Sequence, residues 1–378
     1  MKKKNTCRYC FWLLMSAAII AAGTVNVFAE EVADLMVRPA MKSNLAVNSV
    51  LLSVVNTGKR LVAVGERGHI LLSDDCGVSW RQANVPVSVT LTAVCFSSPQ
   101  KGWAVGHCGV VLKTENGGES WIKSLDGIQA AALIMKAVTQ KAQTGESASE
   151  QMEKEIAVAQ RLVDEGPDKP FLDIYFENDQ NGYIIGAYNF IFRTENGGMS
   201  WLPWLDNMEN PDNLHLYGIR RMNSHIFVAG ERGILLRSVD KGQTFESLLS
   251  PYEGSYFGLL PMENGELIIF GLRGKAYKSL DRGITWKSID TGVSASISAA
   301  TVLQDNTVVL VAQSGEVVIS RDNGGTFNAL PIEGRFPFTG ITQAGNGNLV
   351  LVGVRGVRMF PIAPKRADSL KQSGGEHS

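Results

Sequence analysis

The sequence predicts an all-β fold, a seven-bladed β-propeller of four-stranded blades with an α-helical hairpin inserted between blades two and three. Three observations carry this. A unit opening on Gly-x-x-Gly and closing on Ser/Thr-x-Asp/Asn-x-Gly-x-Ser/Thr-Trp/Phe recurs from Gly65, Gly106, Gly186, Gly230 and Gly271, with a sixth copy from Ala312. The closing aromatics, Trp80, Trp121, Trp201, Phe245, Trp286 and Phe327, are spaced by 41, 80, 44, 41 and 41 residues. That is a period near 41 with one insertion of about another period, which suits a four-stranded propeller blade. The insertion, about 127–166, changes composition to Ala, Lys, Glu, Gln and Met and lacks Pro.

The second repeat shows the blade most clearly. Residues 91–98, 102–106, 109–115 and 120–124 read as four short strands punctuated by turn residues, with Leu91, Ala93 and Cys95, or Val110 and Leu112, in alternation. The octapeptide before each aromatic matches the Asp-box of bacterial-neuraminidase-type repeats. Its members are Ser73, Asp75, Gly77 and Trp80; Thr114, Asn116, Gly118 and Trp121; Thr194, Asn196, Gly198 and Trp201; Ser238, Asp240, Gly242 and Phe245; Ser279, Asp281, Gly283 and Trp286; and Ser320, Asp322, Gly324 and Phe327. Hydroxyl and carboxylate or amide groups bond nearby backbone amides, Gly tolerates left-handed φ, and the aromatic fills the space between blades. These residues are expected to staple the fold rather than form an active site. A seventh, degenerate copy over 338–362 keeps the Gly353-Val-Arg355-Gly356 turn but has no Asp-box. Its missing strand is expected from residues 33–46, closing the ring before the first repeat begins near Val50.

Residues 1–29 read as a secretory signal: Lys2, Lys3, Lys4 and Arg8 form a positive region, 11–22 an apolar core, and Val27-Phe28-Ala29 a cleavage site. Cys7 and Cys10 precede the apolar core and so are not placed for lipidation. The propeller is expected over 30–362, with a flexible polar tail over 363–378, in an exported, most simply periplasmic, monomer. Without the signal, 32 basic residues face 37 acidic ones, a formal charge of −5 that argues against a general nucleic-acid binder. Three cysteines remain, Cys76, Cys95 and Cys108, an odd number that builds no disulfide framework. His69, His107 and His215 are dispersed and expected to be structural or surface residues; the sequence carries no metal motif and implies no cofactor.

In a propeller, the turn between the second and third strands and the connection to the next blade emerge on one face, with the Asp-boxes toward the other. One position of that turn reads Arg67, Cys108, Tyr188, Arg232, Arg273, Ser314 and Arg355 around the ring. Blades four and five adjoin, as do seven and one, so the arginines form two pairs on one rim. Arg67, Arg232, Arg273 and Arg355 are the candidate partner-binding residues, suited to carboxylates. The competing reading is a duplicated turn sequence whose arginines pair with Glu66 or Glu231. The insertion leaves from the same face; Met152, Ile156, Ala159 and Val163 fall at helical spacing, and the hairpin reads equally as a plug on blades two and three or as a docking element.

The stretches 61–80 and 91–121, above all Gly102-Trp-Ala-Val-Gly106 coupled to Asn-Gly-Gly-x-Ser-Trp, resemble the photosystem II stability and assembly factor family, more closely its exported relatives in non-photosynthetic bacteria. The resemblance spans about 47–360. It implies a non-catalytic seven-bladed scaffold that helps assemble or stabilise a membrane complex from the exported side. In photosynthetic members the cargo is a reaction-centre subunit and an arginine-lined surface takes part, a role open here to Arg67, Arg232, Arg273 and Arg355. The expected partner is a membrane-complex subunit or an acidic exported segment, with peripheral membrane association through it. This chain departs from the photosynthetic pattern by its ordinary Sec-type signal and by the long hairpin. Bacterial relatives accompany transporters of the resistance-nodulation-division type, which makes a periplasmic accessory role there the alternative. A sialidase-like glycosidase, the second alternative, would need converging arginines, a Tyr nucleophile with Glu, and an acid; Tyr188, Tyr217 and Tyr256 are present, without an evident Tyr-Glu pair.

Overall fold

The computed structural model describes residues 35–144 and 149–362; the signal and the tail expected at the two ends lie outside these. Seven antiparallel sheets follow one another along the chain, over 51–82, 91–125, 171–203, 216–247, 256–289, 297–330 and 338–360. Each is a simple up-and-down meander in sequence order, as repeats of this length require. Six have four strands, and the last has three among the described residues.

Burial departs from simple alternation. In the second strands, such as Leu61–Gly65, Gly102–Gly106 and Leu349–Gly353, every residue is buried. In the third strand of blade two, Val111 is buried together with Val110 and Leu112. Each of these strands has a sheet neighbour on both edges and another blade on both faces, so apolar residues are required on both sides. The ring interior is a series of interblade cores rather than one centre. A representative one joins Trp103 of blade two to Phe171, Phe176 and Phe192 of blade three, with Trp103 and Phe176 stacked at 3.5 Å.

Residues 35–46 do not supply a strand to blade seven. The Ala40 amide donates to Val85 O (3.0 Å), the Ser88 amide donates to Leu35 O (2.8 Å), and Lys42 Nζ donates to the carbonyls of Gln82 and Ala83 (2.8 and 2.7 Å). Met36 and Ala40 are drawn there by the apolar side chains of Val85, Val87 and Val89 on the connection between blades one and two. The ring closes instead by direct packing. Val54, Ala63 and Leu71 of blade one share a core with Val350 and Val352 of blade seven. Thr339 Oγ1 donates to Leu51 O (2.6 Å) and Asn56 Nδ2 to Gln343 O (2.7 Å).

The insertion is a hairpin of α1 (Gly127–Thr144) and α2 (Ser149–Glu165). Asp126 and Gln129 form a reciprocal capping box: the Gln129 amide donates to Asp126 Oδ1 (3.0 Å) and the Asp126 amide to Gln129 Oε1 (3.1 Å). Gly166, with φ +74°, and Pro167 follow the end of α2. Ala130, Ile134 and Ala159 pack on Phe171, Phe190 and Leu205. The expected stripe is half right. Met152 and Ala159 are buried, whereas Ile156 and Val163 are exposed, because α1 covers only a narrow strip of α2. Lys141 ties both helices to the ring, reaching Glu155 (2.9 Å) and Asp206 (3.0 Å).

Candidate functional site

The two ends of the second and third strands carry different chemistry. At the Asp-box end the hydroxyl and the carboxylate or amide of each box are bonded locally. In the first box the Gly77 amide donates to Ser73 Oγ (2.8 Å), the Ser79 amide to Asp75 Oδ1 (2.9 Å), and Trp80 Nε1 to Gly77 O (2.9 Å). The pattern repeats at Thr114, Asn116 and Trp121, and at Ser279 and Asp281. In the boxes at Thr194, Ser238 and Ser320 the same hydroxyl takes the amide of Gly198, Gly242 or Gly324, while Asn196, Asp240 and Asp322 take the amides of Ser200, Thr244 and Thr326. The Ser79 hydroxyl and amide hold the Asp75 carboxyl down at about 2, and the Thr285 hydroxyl and amide do the same for Asp281. The box aromatics reach the neighbouring blade: Phe245 lies edge-on to Tyr183, Trp201 Nε1 donates to Ser124 Oγ of blade two (3.0 Å), and Trp286 and Phe327 join the cores shared with Phe227 and Ile268.

At the opposite end the turn lifts one side chain to a crest. Arg67, Arg232 and Arg273 adopt left-handed backbone (φ 55°, 51° and 56°), as do Cys108 and Tyr188 at the same position (57° and 55°). The glycine after each arginine is pressed against an interblade connection or, for Gly356, against the segment leading into blade one. A Cβ on Gly68, Gly233, Gly274 or Gly356 would lie 1.8–2.2 Å from the carbonyl oxygen of Val87, Tyr252, Val293 or Val47. The turn is thereby docked by its glycine, and the preceding residue stands in solvent: Arg67, Arg232, Arg273 and Arg355 are all exposed. Arg355, in a tighter two-residue turn between Gly353 and Gly356, reaches the same rim by a different backbone.

The neighbouring carboxylates are engaged elsewhere. Glu66 Oε1 accepts the Val50 amide (3.1 Å) and Glu231 Oε2 the His215 amide (3.1 Å). None of the four guanidinium groups has an ion-pair or hydrogen-bond partner among the described residues. Four exposed cations on one rim can take carboxylates in bidentate fashion without first breaking internal pairs.

Beside the arginines runs a row of rings not legible from the repeat. Lys169 Nζ, at the base of the hairpin, sits 5.3 Å from the centre of Tyr188. Tyr188 contacts His215 at 4.4 Å, His215 stacks on Tyr217 at 6.2 Å, and Tyr217 meets Phe257 at 5.6 Å. Tyr217 and Phe257 take the bulged second residue of the inner strands of blades four and five. The signal that could have found them is the same position in blades two, six and seven. There Thr92, Ser298 and Thr339 place a hydroxyl 2.6–2.7 Å from a carbonyl of the next blade. Two aromatics in that register stand out once the position is known. Inside the channel, of about 490 Å³, buried Asp173 accepts the Ile219 amide (2.9 Å) and pairs with Arg220.

The remaining candidates have structural surroundings. His69 is buried with Nδ1 3.0 Å from Ser49 Oγ, and burial lowers its pKa; His107 is exposed. Cys76, Cys95 and Cys108 are free thiols, and burial pushes Cys95 up to about 12. Tyr256 bonds Ser250 (3.0 Å) and is pushed by burial to about 12, away from the range of an activated nucleophile. Among the described residues, no group of His, Cys, Asp and Glu is placed to hold a metal ion.

A family model described as photosynthesis system II assembly factor YCF48 matches residues 36–145 and 153–367. A photosystem II assembly lipoprotein Ycf48 of Synechococcus sp. (strain CC9902) is 29% identical over 77 residues, 20% of this chain and 23% of that relative. The chloroplastic photosystem II stability/assembly factor HCF136 of Cyanidioschyzon merolae (strain NIES-3377 / 10D) is 31% identical over 86 residues, 22% of this chain and 18% of that relative. The matched stretches therefore span about a fifth of these curated relatives. Among solved structures, a YCF48 bound to a D1 peptide superposes with TM-score 0.60 at 16% identity, covering 85% of this chain and 98% of that one. YCF48 from Cyanidioschyzon merolae gives 0.58 at 16%, covering 84% and 97%. A streptogramin B lyase gives 0.62 at 11%, covering 84% and 94%, so the shared fold extends to enzymes.

Proposed function

We propose that this chain, which belongs to the photosynthesis system II assembly factor YCF48 family, is a non-catalytic, exported scaffold that captures a segment of a membrane-complex subunit on its arginine face. The observation that carries the reading is the rim of Arg67, Arg232, Arg273 and Arg355, exposed and without ion-pair partners among the described residues. An acidic segment would gain charge-assisted hydrogen bonds there without first breaking internal pairs. One solved YCF48 is bound to a D1 peptide, and peptide capture is the mode carried over to this chain. Export through the signal at residues 1–29, a periplasmic location, a monomeric state and membrane association through the partner belong to the same proposal.

Recognition rather than catalysis is supported by the tyrosines. Tyr188 leans on His215, Tyr217 lies between His215 and Phe257, and Tyr256 bonds Ser250; none has a glutamate hydrogen-bond partner among the described residues. The test is affinity capture by the mature protein from detergent-solubilised envelope membranes, with Arg232→Glu/Arg273→Glu alongside. Reaction-centre subunits lost in the variant support the assembly reading, and transporter subunits lost in the variant move the cargo to the resistance-nodulation-division alternative. Equal recovery by both proteins removes the arginine face from the reading.

A further inference from the structure

We infer that the ring row Tyr188, His215, Tyr217 and Phe257 is the second half of the docking face: a track that reads the apolar side chains of an extended acidic polypeptide while Arg232 and Arg273 hold its carboxylates. The inference rests on the reading of the arginine rim as a docking face.

The geometry interleaves the two sets. The turn bearing Arg232 is anchored on both sides of the track: the Glu231 amide donates to His215 O (2.8 Å), and the Arg232 amide points to Ser255 Oγ (3.4 Å). The turn bearing Arg273 is bound to the same connection, the Leu272 amide donating to Ser255 O (2.9 Å). His215 and Ser255 each stand two residues before a ring of the track, Tyr217 and Phe257. Backbone bonds thus fix the two arginine crests relative to the rings.

The rings are open to solvent to different degrees: His215, Tyr217 and Phe257 are half-buried. Tyr188 is 57% exposed in a left-handed backbone position that a glycine would hold without strain. In blades two, six and seven the register of Tyr217 and Phe257 is used for interblade hydroxyl bonds; here it is given to rings. Inner-strand packing at this point is maintained by Gly218, where a Cβ would lie 3.3 Å from Gly258 Cα. The two glycines bring the inner strands of blades four and five together, with Tyr217 and Phe257 in contact beside them.

The charge of the rim selects the occupant. Arginines without internal partners beside the exposed Tyr188 and the half-buried Tyr217 bring together two residue types enriched among interface hot spots. A polypeptide with alternating carboxylate and aliphatic or prolyl residues satisfies both sets. A glycan would use the rings but leave the arginines without counter-charge.

The test uses the mature protein and two fluorescent peptides of about a dozen residues with equal acidic content, one interspersed with Leu and Pro, the other with Ser and Gly. The expected result is a preference of about tenfold for the Leu/Pro peptide. Tyr217→Leu/Phe257→Leu should abolish that preference while keeping salt-sensitive binding of both peptides and a cooperative unfolding transition. Arg232→Glu/Arg273→Glu should weaken both peptides alike. An undiminished preference in the ring variant overturns the inference and leaves the arginine reading standing. Binding unaffected by the arginine variant sinks the arginine reading. If neither peptide binds the wild-type protein, or a neutral glucan oligosaccharide displaces the Leu/Pro peptide, the inference is overturned.

Discussion

The Asp-box turns and the arginine turns are products of the same repeat, at opposite ends of the third strand, yet they treat polar groups in opposite ways. Asp75 accepts the amide and hydroxyl of Ser79 and receives the hydroxyl of Ser73. Arg67, at the other end of that strand, has no ion-pair or hydrogen-bond partner for its guanidinium among the described residues. Satisfied polar groups stabilise a turn and give it little left for a partner; unsatisfied exposed cations contribute nothing to the fold and retain their capacity for one. The comparison teaches that in blades one, four and five one end is closed by internal hydrogen bonds while the other leaves an exposed arginine without an internal partner among the described residues.

The sharpest way to break the first end is through its aromatic. Trp121→Ala, removing a ring buried against the core of blades one and two, should cost about 3–5 kcal/mol in urea unfolding. Ser238→Ala comes next: it leaves the buried Gly242 amide without its acceptor, a loss of about 1–3 kcal/mol by the same measurement. Acid should act through the carboxylates of the boxes. Because Asp75 and Asp281 are held at about 2, below the ordinary value of 3.8, they stabilise the fold above pH 4 and that stability is lost as pH falls from about 4 toward 2. Asp75→Asn/Asp281→Asn should flatten the fall of the urea midpoint across that window. A fall as steep as in the wild-type protein would place the acid sensitivity elsewhere. At the other end the smallest change in stability is expected: Arg232→Glu/Arg273→Glu should shift unfolding by no more than about 0.5 kcal/mol while weakening acidic-peptide binding by about tenfold or more. A large loss of stability in that variant would erase the distinction between the two ends.

Much of this was legible in the chain because it is local. The closing aromatics and the Gly-x-x-Gly turns fixed the register of the blades, and the compositional break at 127–166 marked a hairpin that the structure places at Gly127–Thr144 and Ser149–Glu165. The capping pair Asp126 and Gln129 was present but unread. The expected stripe on α2 erred at Ile156 and Val163, since periodicity gives the face of a helix and only packing gives its width. The strand expected from residues 33–46 failed for a similar reason: apolar Met36 and Ala40 can fill more than one groove, and that between blades one and two lies within reach.

The sequence by itself determined the blade count, the local bonding groups of each Asp-box and the turn position that carries arginine in four of the seven blades. These depend on residues close together in the chain, where backbone geometry leaves few choices. Only the tertiary structure decided that Glu66 and Glu231 bond backbone amides instead of the adjacent arginines, that blades seven and one close by packing, and that Tyr188, His215, Tyr217 and Phe257 form one row. Those contacts join different blades or their connections, and their distances are set by how twisted sheets stack around the ring, which no spacing along the chain encodes.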